Sequence, residues 1–319
     1  MCDSEVNSGW RLVLAAARGT AQCAATGRPS AFAVGDDEAL RPVPIDDPDA
    51  VLIWHPDSGW DAMFPSNDPR KALIDLYLPV CNATEARPIT VGHLGQSLDG
   101  FIATHAGESR WVTGPENMVH LHRMRALCDA VLVGPGTIAA DDPQLTTRLV
   151  DGPNPLRVVL DPTRSLEPHH RVFADRSADT LYLCARSLVQ PGEHHVGCAA
   201  LVGVEEASDG GLDLHQAMRL LRARGCARVF VEGGGVTVSM FLAASLLDRL
   251  HVAVAPLLIG DGRPAIRLPP RAALGDCHRP KYRVFRMGGD ILFDCDLSSE
   301  DTRGSQNATP DDPAVTRVI

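Results

Sequence analysis

The sequence predicts an α/β protein with a largely parallel central sheet flanked by helices. Three observations carry this. From Pro88 onward short apolar runs alternate with amphipathic segments. Two of those runs, Ala130–Val133 and Arg228–Val231, lead into glycine-rich turns at Gly134-Pro-Gly136 and Glu232-Gly-Gly-Gly235. The composition is 45% hydrophobic but only 5% aromatic, with 28 glycines, which describes a globular chain with a core of Leu, Val and Ala.

The 319 residues suffice for one large or two ordinary domains. Residues 1–87 read as a small folded appendage of illegible function, with a strand at Ala50–Trp54 and a helix from Asp68 through Leu78. Residues 88–297 form the main domain, and 298–319 read as a disordered polar tail. In the main domain Ile89–Leu94 is the first strand, followed by a turn at Ser97-Leu-Asp-Gly100. Thr113-Gly-Pro-Glu116 has the form of a capping box and predicts a helix to about Cys128. Strands are expected at 130–133, 156–160 and 180–184. A helix over Asp213–Arg224 closes on Gly225. After Arg228–Val231 a helix is expected over Val236–Leu250, then a strand over His251–Pro256, and a hairpin of 281–286 with 291–296 that turns at Gly288-Gly289.

A formal net charge of −10 argues against nucleic acid or an anionic membrane surface as partner, because both require clustered Lys and Arg. An anionic small molecule held by a few arginines is still allowed. The nine cysteines contain no C-x-x-C and read as buried free thiols of a reducing compartment. The apolar stretch Arg11–Ala17 follows Asp3 and Glu5 where a signal peptide would be basic, so a cytoplasmic protein is expected.

Gly134 through Arg148 holds a glycine pair, Thr137, Asp141, Asp142, Pro143 and Arg148, which are residues of a site more than of a core. Taken alone it fits an ordinary strand-to-helix turn better. Glu232-Gly-Gly-Gly235 changes the balance, since amide N–H groups at the start of a helix suit a pyrophosphate. The spacing is not that of a Rossmann fingerprint. Glu108-Ser-Arg-Trp111 adds a hydroxyl, a cation and an aromatic ring in a loop. The histidine pairs lack partners at metal-ligand spacing, and His120 and His122 lie two apart on a helix and face different ways, so no metal is expected. With no P-loop, G-x-S-x-G or zinc-deaminase pattern, redox chemistry with a bound dinucleotide leads.

The chain resembles the pyrimidine reductase family of riboflavin biosynthesis, known also as the C-terminal half of the bifunctional deaminase/reductase. The resemblance covers Pro88 to Leu297. It rests on Ser97-Leu-Asp-Gly100, Gly107–Gly114, His122-Arg-Met-Arg125, Gly134–Thr137 through Ala140–Arg148, Arg157-Val-Val-Leu-Asp161 and Glu232–Gly235, in the family's order. It implies a dihydrofolate-reductase-like fold, a homodimer, NADPH as cofactor, and reduction of the ribosyl group of 5-amino-6-(5-phosphoribosylamino)uracil to ribityl. Carried over by position, Gly95, Trp111, Thr137 and Asp141 match cofactor contacts. Gly234, Gly235, Val236 and Thr237, on to Met240, match the loop and helix start that hold the NADPH phosphates. Ser109, Arg125, Leu145, Arg148 and Glu232 match substrate contacts. His93 and Asp142 are further catalytic or substrate candidates. His93 stands where the family usually has a lysine, and Pro162 where a small hydroxyl residue is common. The family's deaminase half has no counterpart in residues 1–87, so a separate deaminase is the expected supplier of substrate. Two rival readings are a paralogous reductase of a related aminopyrimidine or pterin, and a non-catalytic nucleotide-binding protein.

Overall fold

The computed structural model describes residues 3–35, 39–208 and 210–298. The expected tail lies outside them, apart from Ser298. The helices are α1 (Asp3–Thr26), α2 (Lys71–Cys81), α3 (Pro115–Leu127), α4 (Pro135–Asp141), α5 (Arg171–Ala174), α6 (Leu214–Arg222) and α7 (Gly235–Ala243). The strands are β1 (Ser30–Val34), β2 (Leu40–Val43), β3 (Leu52–His55), β4 (Gly59–Ala62), β5 (Ile89–Ser97), β6 (Phe101–Thr104), β7 (Ala130–Val133), β8 (Leu156–Leu160), β9 (Thr180–Ala185), β10 (His195–Val196), β11 (Ala199–Val204), β12 (Arg228–Glu232), β13 (Arg249–Ala255), β14 (Gly262–Pro264), β15 (Lys281–Met287) and β16 (Asp290–Asp296). The chain divides into two compact units. One joins the N-terminal segment through Ile89 to His122–Leu132 and Pro143–Phe230, and the other holds Thr90–Leu121, Val133–Asp142 and Val231 onward.

In the first unit, β2-β1-β3-β4 form an antiparallel sheet beside α1 and α2. Trp54 and Trp60 meet edge-on at 5.3 Å. The Trp60 indole N–H donates to Thr20 Oγ1 at 2.9 Å, and that hydroxyl donates in turn to the Cys81 carbonyl at 2.6 Å. The sequence did not mark α1 as a helix, because Leu12, Val13, Leu14, Ala16 and Ala17 are all buried and an unbroken apolar run hides the helical period. The other strands of this unit follow the order β10-β11-β9-β8-β7, and every residue of β7 and β9 is buried. Parallel pairing of β9 with β8 and with β11 matches uniformly apolar strands covered on both faces.

In the second unit β5 pairs parallel with β13, and β13, β16 and β15 continue antiparallel. The expected helix to Leu250 stops at Ala243. Ser245 takes a left-handed φ of 54°, and the N–H groups of Ser245 and Leu246 reach back to the carbonyls of Leu242 and Phe241. That pattern satisfies the last carbonyls and ends the helix. At the start of α3 the Thr113 hydroxyl accepts from the Asn117 side chain at 2.9 Å and is not used as a capping box. Pro115 begins the helix, where its missing N–H costs nothing.

Five of the cysteines described are buried and three are partly exposed, all of them free thiols. No helix among the described residues is long and apolar enough to cross a membrane.

Candidate active site

In the first unit the loop after Asp142 brings Arg125, Leu145 and Arg148 together. Arg125, buried on α3, donates from Nη1 to the Thr146 carbonyl at 3.2 Å, and Arg148 donates from Nη1 to Thr146 Oγ1 at 2.6 Å. Two guanidinium groups therefore share one residue as anchor. Leu145 is fully buried at a left-handed φ of 56°, a conformation that a leucine holds only when its surroundings enforce it. His122 completes the set. Its Nδ1 accepts the backbone N–H of Arg148 at 2.9 Å, so the ring proton must sit on Nε2. Burial, then the charges of Arg125 and Arg148, pull its pKa down to about 4. The sequence offered His122 only as part of a motif and gave it no role.

In the second unit two glycine-rich helix starts interlock. Gly234 donates its N–H to Thr137 Oγ1 at 3.2 Å. A Cβ on Gly134 would overlap Thr237 Oγ1, and a Cβ on Gly235 would overlap the Ala265 carbonyl. Gly134 thus serves through close packing and not through positive φ, since its φ is −85°. The amides of Gly235, Val236 and Thr237 open α7 and have no acceptor within it. Val236 is 75% exposed at this end. The space beside Gly134 and Gly235 is therefore taken by Thr237 Oγ1 and the Ala265 carbonyl, so these glycines allow close packing around the start of α7.

Asp141 is exposed, and Asp142 caps α4 with φ 39°. Glu232, the last residue of β12, is buried. Ser109 and Trp111 lie together on the exposed loop before α3. Trp111 is 78% exposed at φ 69°, an apolar ring held out to solvent on strained backbone. At Gly95 a Cβ would lie 2.9 Å from Thr113 Cγ2 and 3.1 Å from Asn117 Nδ2. Asn117, which the sequence reading passed over, also bonds His93 Nε2 through Oδ1 at 2.9 Å.

His93 belongs to a polar row. It pairs in register with His251 on β13, which pairs with Asp294 on β16, which pairs with Arg283 on β15. His120 lies over this row, with its ring 5.1 Å from His93 and 5.2 Å from His251. Its Nε2 is 3.2 Å from His251 Nδ1. His251 Nε2 is 3.3 Å from Asp294, within ion-pair reach but not aligned as a hydrogen bond. Arg249 and Arg283 each bond Asp294 at 2.6 Å. Burial, then the positive potential of His251, depresses the His93 pKa to about 3. Against the opposing effect of burial, the His251 ring and the Arg249 guanidinium hold the Asp294 carboxyl below the usual carboxylate range.

Two of the sequence motifs prove architectural. Asp99 of Ser97-Leu-Asp-Gly100 accepts from Ser97 Oγ at 2.5 Å and from the backbone N–H of Gly260 at 2.7 Å, fixing the 257–260 loop. Asp161 takes the Tyr182 hydroxyl at 2.8 Å and the Leu166 N–H at 3.0 Å. No cluster of three or more metal-ligating side chains occurs among the described residues.

The fold is mixed α/β, with a glycine-rich helix start beside two threonines in one unit and a pair of anchored arginines in the other. Residues 89–282 match the RibD C-terminal domain family, and the chain belongs to that family. Over 214 residues it is 35% identical to the 2,5-diamino-6-ribosylamino-4(3H)-pyrimidinone 5′-phosphate reductase of Methanothermobacter thermautotrophicus, covering 65% of this chain and 97% of that one. It is 30% identical over 211 residues to the riboflavin biosynthesis protein RibD of Aquifex aeolicus, covering 66% of this chain and 58% of that protein. Among solved structures, a diaminohydroxyphosphoribosylaminopyrimidine deaminase/5-amino-6-(5-phosphoribosylamino)uracil reductase from Thermotoga maritima superposes with a TM-score of 0.55 at 27% identity, over 71% of this chain and 61% of that one. The chain therefore spans less than two thirds of the second and third of these proteins. The expected dihydrofolate-reductase-like fold is the fold of such neighbours. A reductase of this family implies a nicotinamide cofactor.

Proposed function

We propose that the protein catalyses NADPH-dependent reduction of the ribosyl group of 5-amino-6-(5-phosphoribosylamino)uracil to ribityl in riboflavin biosynthesis. The observation that carries this reading is the shared anchoring of Arg125 and Arg148 on Thr146. It holds two cations at the spacing of one residue, which suits a sugar phosphate through charge-assisted hydrogen bonds. When bound, the nicotinamide supplies the hydride. The residues that would hold the cofactor are Gly95, Trp111, Thr137, Asp141 and Gly234–Thr237, and the amide groups that open α7 suit its phosphates. Glu232, a buried acceptor, orients ribose hydroxyls or ring N–H groups, and Ser109 and Leu145 complete the substrate contacts. Positioning, with no metal and no covalent step, supplies most of the rate.

The reading includes a homodimer in the cytoplasm that receives substrate from a separate deaminase. A second substrate is favoured by the archaeal relative, whose name specifies the 2,5-diamino compound. The test is loss of NADPH absorbance on mixing the pure protein with each ribotide in turn. Turnover of the uracil compound is expected. Turnover of the diamino compound alone would reassign the substrate, and turnover of neither would remove the reading.

A further inference from the structure

The first 87 residues carry no motif, yet they reach the loop that presents Arg148. Trp10 of α1 is buried, and its indole N–H donates to the Asp151 carbonyl at 2.8 Å. One helical turn further along, the Leu14 side chain lies 3.7 Å from where a Cβ on Gly152 would stand. The Arg123 guanidinium is 5.6 Å from the Trp10 ring centroid and 5.7 Å from that of Tyr77 on α2. Arg123 adjoins His122 and sits two residues before Arg125. Both the helix and the loop that carry the arginine pair thus rest on the N-terminal segment. Trp10 and Tyr77 also pack edge-on at 5.5 Å, so the two supports touch one another.

Beyond the Arg125 bond to Thr146, three contacts fasten the backbone of the loop after it. His122 Nδ1 takes the Arg148 N–H, Asn154 Oδ1 takes the Thr147 N–H at 2.8 Å, and Trp10 takes hold of Asp151. Only the last of these comes from outside the family-matched region.

We propose that the N-terminal segment is a built-in brace for the phosphate-binding loop, with Trp10 as its positioning residue. The inference rests on the reading of Arg125 and Arg148 as phosphate ligands. A brace sets how much of the time the guanidinium groups are already in place, so its loss weakens affinity for the phosphate-bearing ligand and leaves the other half of the reaction alone.

The experiment measures ribose 5-phosphate binding by calorimetry, and KM for ribotide and for NADPH, on the full chain and on three variants. Trp10→Phe keeps an aromatic ring, though a smaller one, and removes the N–H donor. Arg123→Met keeps the stem and removes the cation over both rings. Arg148→Ala is the control. Trp10→Phe and Arg123→Met are expected to weaken ribose 5-phosphate and raise ribotide KM about three- to ten-fold, the worth of one hydrogen bond or cation–π contact. NADPH KM should be unchanged. A loss with Arg148→Ala but none with the other two overturns the brace alone, as does an equal loss of NADPH affinity. No loss with Arg148→Ala overturns the phosphate reading and the brace with it.

Discussion

Nδ1 of His122 and the backbone N–H of Arg148 lie 2.9 Å apart, and that bond ties the arginine loop to α3. Leu149 leans on the same nitrogen at 3.4 Å. Replacing the ring by leucine keeps the apolar volume but leaves two loop amides without their acceptor. His122→Leu is expected to raise ribotide KM about ten-fold, with NADPH KM unchanged, consistent with one or two lost hydrogen bonds. Steady-state kinetics with each substrate varied separately decide it, and an unchanged ribotide KM would show that the loop holds its shape without the histidine.

Arg148 is exposed whereas Arg125 is buried, so the two should respond differently. Arg148→Ala removes a charge-assisted contact worth about 1.5–3 kcal/mol, and ribotide KM should rise by one to two orders of magnitude with no change in melting temperature. Arg125→Ala should lower the melting temperature as well, because the buried Thr146 carbonyl then loses a donor. Equal thermal behaviour of the two variants would contradict the burial difference.

The three successive glycines should not be equivalent. At Gly234, φ is −61° and a Cβ would have Thr137 Oγ1 as neighbour at 3.8 Å, so Gly234→Ala should fold normally. At Gly233, φ is 118° and the Cβ would lie 2.6 Å from the same hydroxyl. At Gly235 it would overlap a backbone carbonyl, which has no rotamer by which to escape. Gly235→Ala should therefore lose both stability and NADPH binding, measured by thermal melting and by fluorescence titration. Gly234→Ala tests the phosphate position: a folded protein with weakened NADPH binding is expected, and unweakened binding would move the pyrophosphate elsewhere.

Acid should destabilise the protein before its carboxylates titrate. His93 and His122 are depressed to about 3 and about 4, below the ordinary histidine value of about 6.5. Between those limits the unfolded chain binds protons that the native one refuses, so stability falls as pH falls, by up to about 1.4 kcal/mol per pH unit for each such proton. The stability in question is fully present above about 6.5 and is lost progressively as pH drops toward 3–4. Urea unfolding at pH 7, 6 and 5 should show this decline, and His93→Gln should flatten it. A flat wild-type profile across that range would mean that the rings gain protons in the native state.

Much of the frame was legible because uniform apolar runs have few alternatives: 130–133 and 156–160 are strands as expected, and 180–184 extends by one residue. Gly288-Gly289 likewise marks its hairpin. The stop of α7 was hidden because Ser245 takes the left-handed position where glycine is the usual signal. The candidate arginines could be named because they stand in motifs that resemble those of the family. Their supports could not. Asn117, His122, His251 and Asp294 are polar residues in buried positions, and in a sequence such residues look like the solvated side of an amphipathic element. Only strand pairing shows that His251 meets Asp294, and only the packing of α3 shows that Asn117 meets His93 and His122 the Arg148 loop.

The row His93–His251–Asp294–Arg283 has a consequence for how the C-terminal hairpin finds its place. Side chains alternate faces along a strand, so sliding β16 by one residue would turn Asp294 away from the interior. His251 would then face Cys295 or Phe293, and the buried Asp294 carboxylate would lose both of its arginines. Apolar neighbours alone would tolerate such a slip at modest cost, since Ile, Leu and Phe are interchangeable to a first approximation. A single carboxylate between two arginines is not, because a stranded buried charge costs several kcal/mol. Asp294 therefore works as a registration key: the last strands can assemble in many ways that bury grease, but in one that leaves no charge alone.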